Sequence, residues 1–225
     1  MKKVLLLVAL VVLVMVTTSC QKPEEITLSK YFQAMKAKDR DTMAAMAAET
    51  VSMEFKSWEL ISSETPVSEE FGLPKMLQEL ADVKKKKDAQ ILLVTDKKDA
   101  MDQLKTKLDE SRGSKKAAVQ KEIDALAVEV ETEIANYKRD QANYTQMKAQ
   151  VENEKRMIAL STNIEQNPEL LEGKTVTTKS IVKIDGPGGE KEYVFTLRKY
   201  ELINPVTNKV TSNRYIILKI APREE

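Results

Sequence analysis

A stretch of about one hundred residues with a single glycine constrains this chain most. Between Gly72 and Gly173 the only glycine is Gly113. On both sides of it a register with alternating spacings of three and four can be written, the repeat of a helical coiled coil. The register before Gly113 contains Leu73, Met76, Leu80, Val83, Lys87, Gln90, Val94, Lys97, Met101, Leu104, Leu108 and Ser111. The register after it contains Val119, Ile123, Leu126, Val130, Glu133, Tyr137, Asp140, Tyr144, Met147, Val151, Glu154 and Ile158. Two arms of similar length predict an antiparallel helical hairpin.

The two registers define a seam between the arms, and this seam is partly polar. Its polar members include Lys87, Gln90, Lys97, Glu133 and Asp140. If the arms fold back at Gly113, residues at about equal distances from it face each other, which pairs Lys97 with Glu129 and Lys87 with Asp140. Such pairs would specify the register at a cost in stability. The alternative to these cross-arm pairs is that "KKKKDAQ" is a solvated stretch where the arms separate. The segment "QILLVTD" also permits a short strand in place of helix.

The sequence before the hairpin predicts two helices and one strand. Apolar residues recur at helical spacing in "ITLSKYFQAM", "KAKDRD" interrupts them, and a second run follows, for which Asp39 or Asp41 is a suitable cap. The stretch "VSMEFKSWELISSE" then alternates as a strand does. Its phase changes between Phe55 and Trp58, which suggests a β-bulge.

The sequence after the hairpin predicts a three-strand antiparallel meander. Three segments rich in β-branched and aromatic residues are separated by the turn sequences "DGPGGE" and "NPVTNK". We expect one apolar face to cover the helices, formed by Tyr193, Phe195, Leu197, Ile216, Leu218 and Ile220. The predicted class is therefore α+β: a small antiparallel sheet packed on N-terminal helices, with parts at 26–65 and 172–222, interrupted by the hairpin at 66–161.

Several segments of this α+β part resemble a known superfamily. They are "YFQAMKAKDRDTMAAMAAE", "FKSWELIS", "GEKEYVFTLRKYEL" and "YIILKI". Two helices, a bent strand and a final meander resemble the nuclear transport factor 2-like (cystatin-like) domains of small bacterial lipoproteins. The resemblance covers about half of the mature chain. It implies a curved sheet that often encloses a pocket against the helices.

The N-terminus carries an export signal that ends at the only cysteine. Lys2 and Lys3 precede an unbroken apolar run, which is too short to span a bilayer stably. Small residues then precede Cys20, and this resembles the lipobox of bacterial lipoproteins, although Thr17 stands where leucine is commonest. The resemblance implies a signal peptide at 1–19, a tether at 20–25 and acylation of Cys20, with palmitate among the attached chains. Because Gln21 follows, it also implies the outer membrane, facing the periplasm. The alternative is an ordinary cleaved signal beside an unrelated thiol.

Composition excludes several classes of site. The chain has no histidine, so a histidine metal site, a Ser-His-Asp triad and a Cys-His pair cannot form within it. The 36 basic residues nearly balance the 35 acidic ones, and a nucleic-acid partner normally requires a strong basic excess. We expect no cofactor, no metal and no nucleic acid.

Three functions remain. The first is a non-enzymatic, membrane-anchored envelope lipoprotein that uses the coiled-coil hairpin as a spacer or interaction module, docking an envelope partner or forming an oligomer. The second follows from the superfamily resemblance: a small apolar ligand in a pocket lined by Tyr31, Phe32, Phe55, Trp58, Tyr193 and Phe195, although core packing explains the same residues. The third is proton-transfer catalysis by a buried acid. The acids near the strands, each compatible with a solvated face, are Glu54, Glu59, Glu192 and Glu201. We expect no enzyme.

Replacing Cys20 with Ser tests the anchor. Because acylation requires the thiol, the Cys20→Ser variant should remain an uncleaved precursor without the mass of a lipid. Mass spectrometry of the intact protein and fractionation of membranes measure both properties. A Ser variant that is processed and membrane-attached like the parent would contradict the lipobox interpretation.

Overall fold

The computed structural model describes residues 22–164, 167–211 and 213–224. The signal peptide and Cys20 lie outside these residues. The chain divides into two compact units. A globular unit contains the described residues up to Phe71 and those from Arg156 onward, and a helical unit comprises Gly72–Lys155.

The globular unit is built on one curled antiparallel sheet. Its strands are β1 (Ser57–Ser63), β2 (Val67–Glu70), β3 (Glu172–Gly186), β4 (Gly189–Asn204), β5 (Lys209–Val210) and β6 (Ile216–Pro222). The long strands β3 and β4 pair along their whole length, up to Gly186 opposite Gly189 at the predicted turn. Strands β1 and β2 pair with the outer edge of β3, and β5 and β6 pair with the outer edge of β4.

Two helices precede the sheet, as predicted: α1 (Pro23–Ala37) and α2 (Arg40–Ala44). Of the two candidate caps, Asp39 is the one used, because its carboxylate accepts the backbone N–H of Thr42 at 3.0 Å. Helix α1 buries residues at positions i, i+3, i+4 and i+7 against the sheet. They are Leu28, Tyr31, Phe32 and Met35, and they share one core with Val182, Ile184, Phe195, Leu197 and Ile217.

The helical unit consists of α3 (Leu73–Glu110) and α4 (Ser114–Thr162), joined by a turn at Gly113. Gly113 has a φ of +61°, which glycine adopts without steric cost. Helix α3 runs without interruption through "KKKKDAQ" and "QILLVTD", so neither an open stretch of chain nor a short strand occurs there. Helix α4 continues past Lys155, and its last turns belong to the globular unit.

The predicted seam is confirmed by burial. In α3 every seam residue is buried or half-buried, and apart from Leu77 every other residue of the helix is exposed. The seam positions of α4 are likewise buried or half-buried. Among the described helices, none is both long and apolar enough to cross a membrane.

Three predicted boundaries shift. Residues 23–25 are not tether but the first turn of α1, where Pro23 and the acidic Glu24 and Glu25 suit a helix N-terminus. The hairpin begins later than residue 66, because β2 pairs with β3. It ends earlier than residue 161, because Ser161 is fixed to the globular unit: its hydroxyl donates to the carbonyl of Arg214 at 2.7 Å and accepts the N–H of Tyr200 at 3.2 Å.

Two predicted strand details are wrong. The phase change between Phe55 and Trp58 coincides with the start of β1 at Ser57. Earlier in the same stretch, Val51 bonds to the Tyr31 hydroxyl rather than to a strand. The bulge lies later, between Leu60 and Ser62. In β6 a second register shift occurs beside Leu218, so the core residue that precedes Ile220 on this strand is Ile217 and not Leu218.

Gly173 is the position where the sheet least tolerates a side chain. Its φ is +141°, and a Cβ there would lie 2.1 Å from the carbonyl oxygen of Glu201 on the paired strand. We expect Gly173→Ala to lower the free energy of unfolding by about 3 kcal/mol, from backbone strain plus overpacking. Urea titration measures it. The control is Gly188→Ala, whose Cβ meets only the end of the Lys191 side chain, and equal losses in the two variants would contradict the argument.

Candidate functional site

The six side chains proposed as a ligand pocket lie together in the packed interior. Phe32 is their centre: its ring stacks on Trp58 with centroids 4.7 Å apart, and it meets Phe55 edge-on at 5.2 Å. It also contacts the rings of Phe195 and Tyr31. Tyr193 packs against the margin of the same core. Tyr193 lines one of four surface cavities among the described residues, and the other five side chains line none of these four. The aromatic rings therefore fill one another's space.

The phenol of Tyr31 is engaged inside this core. It donates to the carbonyl of Val51 at 3.3 Å and accepts the N–H of the same residue at 3.0 Å. Burial raises the pKa of Tyr31, and the hydrogen bond to Val51 opposes that shift. The hydroxyl therefore anchors the segment that leads into β1.

The four carboxylates considered for proton transfer are solvated or paired. Glu54 and Glu59 are exposed. Glu192 forms an ion pair with Arg223. Glu201 pairs with Lys199 and with Lys174, and the hydrogen bond from Lys199 lowers its pKa. A general acid near neutral pH needs a raised pKa, so Glu201 is shifted away from that role.

A surface cavity of about 550 Å³ lies beside the end of α4 and β5. Its lining includes the amides of Asn163, Asn167 and Asn204, and Lys209 is its one ionisable residue among those described. Hydrogen bonding is the chemistry that this lining offers.

Polar contacts cross the seam of the helical unit. Lys97 forms the predicted ion pair with Glu129. One heptad before Lys97 on α3, the Gln90 amide donates to the Glu133 carboxylate. The bond from Gln90 lowers the pKa of Glu133, and the bond to Glu129 raises the pKa of Lys97. These contacts join facing residues of antiparallel arms, so the seam is closed at "KKKKDAQ".

The predicted pair of Lys87 with Asp140 is wrong. The Asp140 carboxylate is only 2% exposed, and its cationic neighbours are the Lys86 amine at 3.4 Å and the Arg139 guanidinium at 3.6 Å. Lys87 instead bonds to Asp88 and lies over the ring of Tyr144, 4.7 Å from its centroid. Lys86, outside the seam, reaches Asp140 from the flank because its stem is long and flexible.

Four large apolar residues in the described hairpin face solvent, and sequence reasoning missed them. Ile91, Leu92 and Leu93 are 42%, 64% and 47% exposed on α3, and Val128 is 66% exposed on α4. We call the first three the outer patch. The available signal was "QILLVTD" itself: with Gln90 and Val94 assigned to the seam, Leu92 must point away from it, and Ile91 and Leu93 must lie on the two flanks of the helix.

No grouping of metal-ligating side chains occurs among the residues that the structure describes. Comparison with known proteins gave no matching family model, no similar curated protein and no similar solved structure. Functional inference therefore depends on the chain's own residues.

Replacing Asp140 with Leu should stabilise the hairpin. Neither carboxylate oxygen has a hydrogen-bond partner, and Leu suits a seam position between two helices. Lys86 is largely exposed and loses little when its partner is removed. We expect a gain of about 1 to 3 kcal/mol in the free energy of unfolding, measured by chemical denaturation followed by helical circular dichroism. Asp124→Leu, on the exposed side of the same helix, is the control, and a destabilised Asp140→Leu protein would contradict the expectation.

Proposed function

We propose that this protein is a membrane-anchored, non-enzymatic envelope lipoprotein that acts through its coiled-coil hairpin as an interaction module. The lipid on Cys20 would hold the chain at the membrane, in the outer membrane facing the periplasm. The hairpin would offer its outer surface to a protein partner. The globular unit would be the base that the anchor holds.

The observation that carries this proposal is the outer patch on a closed hairpin. The seam buries its own residues by cross-arm packing, so Ile91, Leu92 and Leu93 have no role inside the hairpin. Contiguous apolar residues left in water on an otherwise charged surface mark interaction sites. The globular unit offers less support for a ligand-binding role, because its aromatic rings occupy the space that a ligand would need.

The anchor is supported by the signal sequence and by the lone cysteine that follows it. A free thiol is a liability in an oxidising compartment, and acylation removes it. More than one acyl chain is needed for stable attachment, and the lipidated cysteine of a lipoprotein carries three.

Photo-crosslinking in cells tests the interaction role. A photoreactive residue placed at Leu92 or Val128 should yield a discrete adduct after irradiation. The same residue at Lys179, an exposed position on β3 of the globular unit, should not, because the proposed contact surface is on the hairpin. Gel shift and mass spectrometry identify the adducts. Adducts from Lys179 alone, or none from any hairpin position, would overturn the interaction role.

A further inference from the structure

The exposed side of α1 is basic along its whole length. With Lys22 immediately before the helix, the exposed positions recur at the spacing of one helical face. They are Lys22, Pro23, Ile26, Lys30, Gln33, Lys36 and Ala37, and we call them the basic face. The two acids of the helix lie outside it: Glu24 is only 7% exposed, and Glu25 is half-buried at its margin. The face therefore combines three lysines with Ile26, which is 41% exposed.

The charge of the basic face is uncompensated within the described structure. Lys38 and Arg40, both exposed, continue this charge past the end of α1. Among the described residues, no carboxylate forms an ion pair with Lys38, with Arg40 or with a lysine of the basic face. Lysines of the sheet differ, because Lys174, Lys183 and Lys199 each pair with a glutamate. The basic face therefore suits an anionic partner outside the chain.

A groove with two cations follows one side of the basic face. Two cavities there, of about 540 and 220 Å³, share Lys30, Met46 and Arg214 in their linings. The Arg214 guanidinium donates to two backbone carbonyls at 2.7 and 3.3 Å, and these neutral partners leave its charge uncompensated. The one carboxylate among the described lining residues is that of Asp39, which bonds to Thr42 as the cap of α2. Two cations beside a buried methionine suit a headgroup phosphate next to the start of an acyl chain.

The proposed anchor would bring this side of the globular unit to the bilayer. Cys20 precedes Pro23 by three residues, and an extended chain spans at most about 3.6 Å per residue, or roughly 11 Å here. A charged surface acts over a similar distance, about 8 to 10 Å at physiological salt. Helix α1 has 15 residues, which at 1.5 Å per residue span about 22 Å. Lys36, near the far end, therefore reaches the surface only if the helix lies along it.

We propose that the basic face of α1 docks on the anionic lipid surface to which Cys20 is anchored, with α1 lying along the bilayer. The inference rests on the proposed anchor and assigns the side of the globular unit that faces the membrane. Interfacial helices place lysines at the headgroups and apolar side chains at the acyl boundary. Ile26, between Lys22 and Lys30, would occupy that boundary.

A lipid surface fits the basic face better than an acidic protein does. The tether leaves at most about 11 Å between the acylated residue and the first turn of α1, whereas a small folded domain is about 30 Å across. Such a domain does not fit between this turn and the bilayer. The headgroups, in contrast, are held next to the basic face by the anchor itself, which gives them a high effective concentration.

Crosslinking to lipid tests the docking. The chain from Cys20 onward is coupled through its only thiol to a maleimide lipid, in vesicles of phosphatidylcholine and phosphatidylglycerol. A photoreactive residue at Gln33, in the middle of the basic face, should form lipid adducts. Val182 packs under α1, and because strand residues alternate, the exposed Lys179 lies on the other side of the sheet and should give about tenfold fewer adducts. Omitting phosphatidylglycerol, or adding salt, should lower the Gln33 yield several-fold.

Neutralising lysines tests whether the attraction is electrostatic. In the Cys20→Ser chain without its signal peptide, Lys30→Gln with Lys36→Gln should weaken binding to the same vesicles at low salt, measured by co-sedimentation. We expect about fivefold for each lysine, since a lysine near an anionic surface contributes about 1 kcal/mol. The matched control is Lys179→Gln with Lys219→Gln, which removes equal charge from exposed positions on the other side of the sheet and should leave binding unchanged. Circular dichroism checks that each variant is folded.

The outcomes separate the docking from the anchor. Equal lipid adducts from Gln33 and Lys179, equal yields with and without phosphatidylglycerol, or equal losses in the two lysine variants would each overturn the docking. None of these results bears on acylation in cells, because the vesicle attachment is chemical. If cells leave Cys20 unmodified, the anchor and the docking that depends on it both fall; if Cys20 is acylated and the vesicles show no preference, only the docking falls.

Discussion

The pairing of β3 with β4 is the contact on which the globular unit depends. Every residue of β3, from Glu172 to Gly186, has a partner on β4. The four shorter strands attach only to the outer edges of this ribbon, and α1 packs its apolar side on the same two strands. An isolated two-stranded ribbon is marginal in water, so the edge strands and α1 supply the burial that makes the ribbon stable.

Sequence periodicity predicted the elements far better than their details. The heptads placed nearly every buried position of the hairpin, because burial on a helix repeats with a fixed angle. The α+β class and the meander were also correct. The bulge beside Leu218 could not be predicted from the sequence, because a register shift depends on how the strand pairs with its neighbour. Lys86 replaced Lys87 at Asp140 because a long side chain can reach a partner from outside its heptad position. The superfamily resemblance stays a prediction.

The candidate sites show the same limit. Aromatic residues near Phe32 are equally compatible with a lined pocket and a filled core, since both require large apolar side chains on one face. Only their mutual distances distinguish the two, and a centroid separation of 4.7 Å between Phe32 and Trp58 leaves no gap. The outer patch was missed for a different reason. The heptad pattern identifies the residues buried between the arms, but it does not show whether the residues at the other positions are polar or apolar.

The buried Asp140 explains why a hairpin would keep a costly polar layer. Apolar heptads alone permit the arms to slip by seven residues, since a similar apolar pattern recurs. In the observed register Asp140 lies beside Lys86. A slip of one heptad would bring it opposite Glu79 or Leu93, and a carboxylate buried against an acid or an aliphatic side chain without compensation is strongly disfavoured. The same slip would place Lys97 opposite Glu122 or Asn136 instead of Glu129, which costs less free energy. Asp140 therefore discriminates against the slipped registers more than the exposed ion pair does, and the fixed register keeps Ile91, Leu92 and Leu93 on the outside.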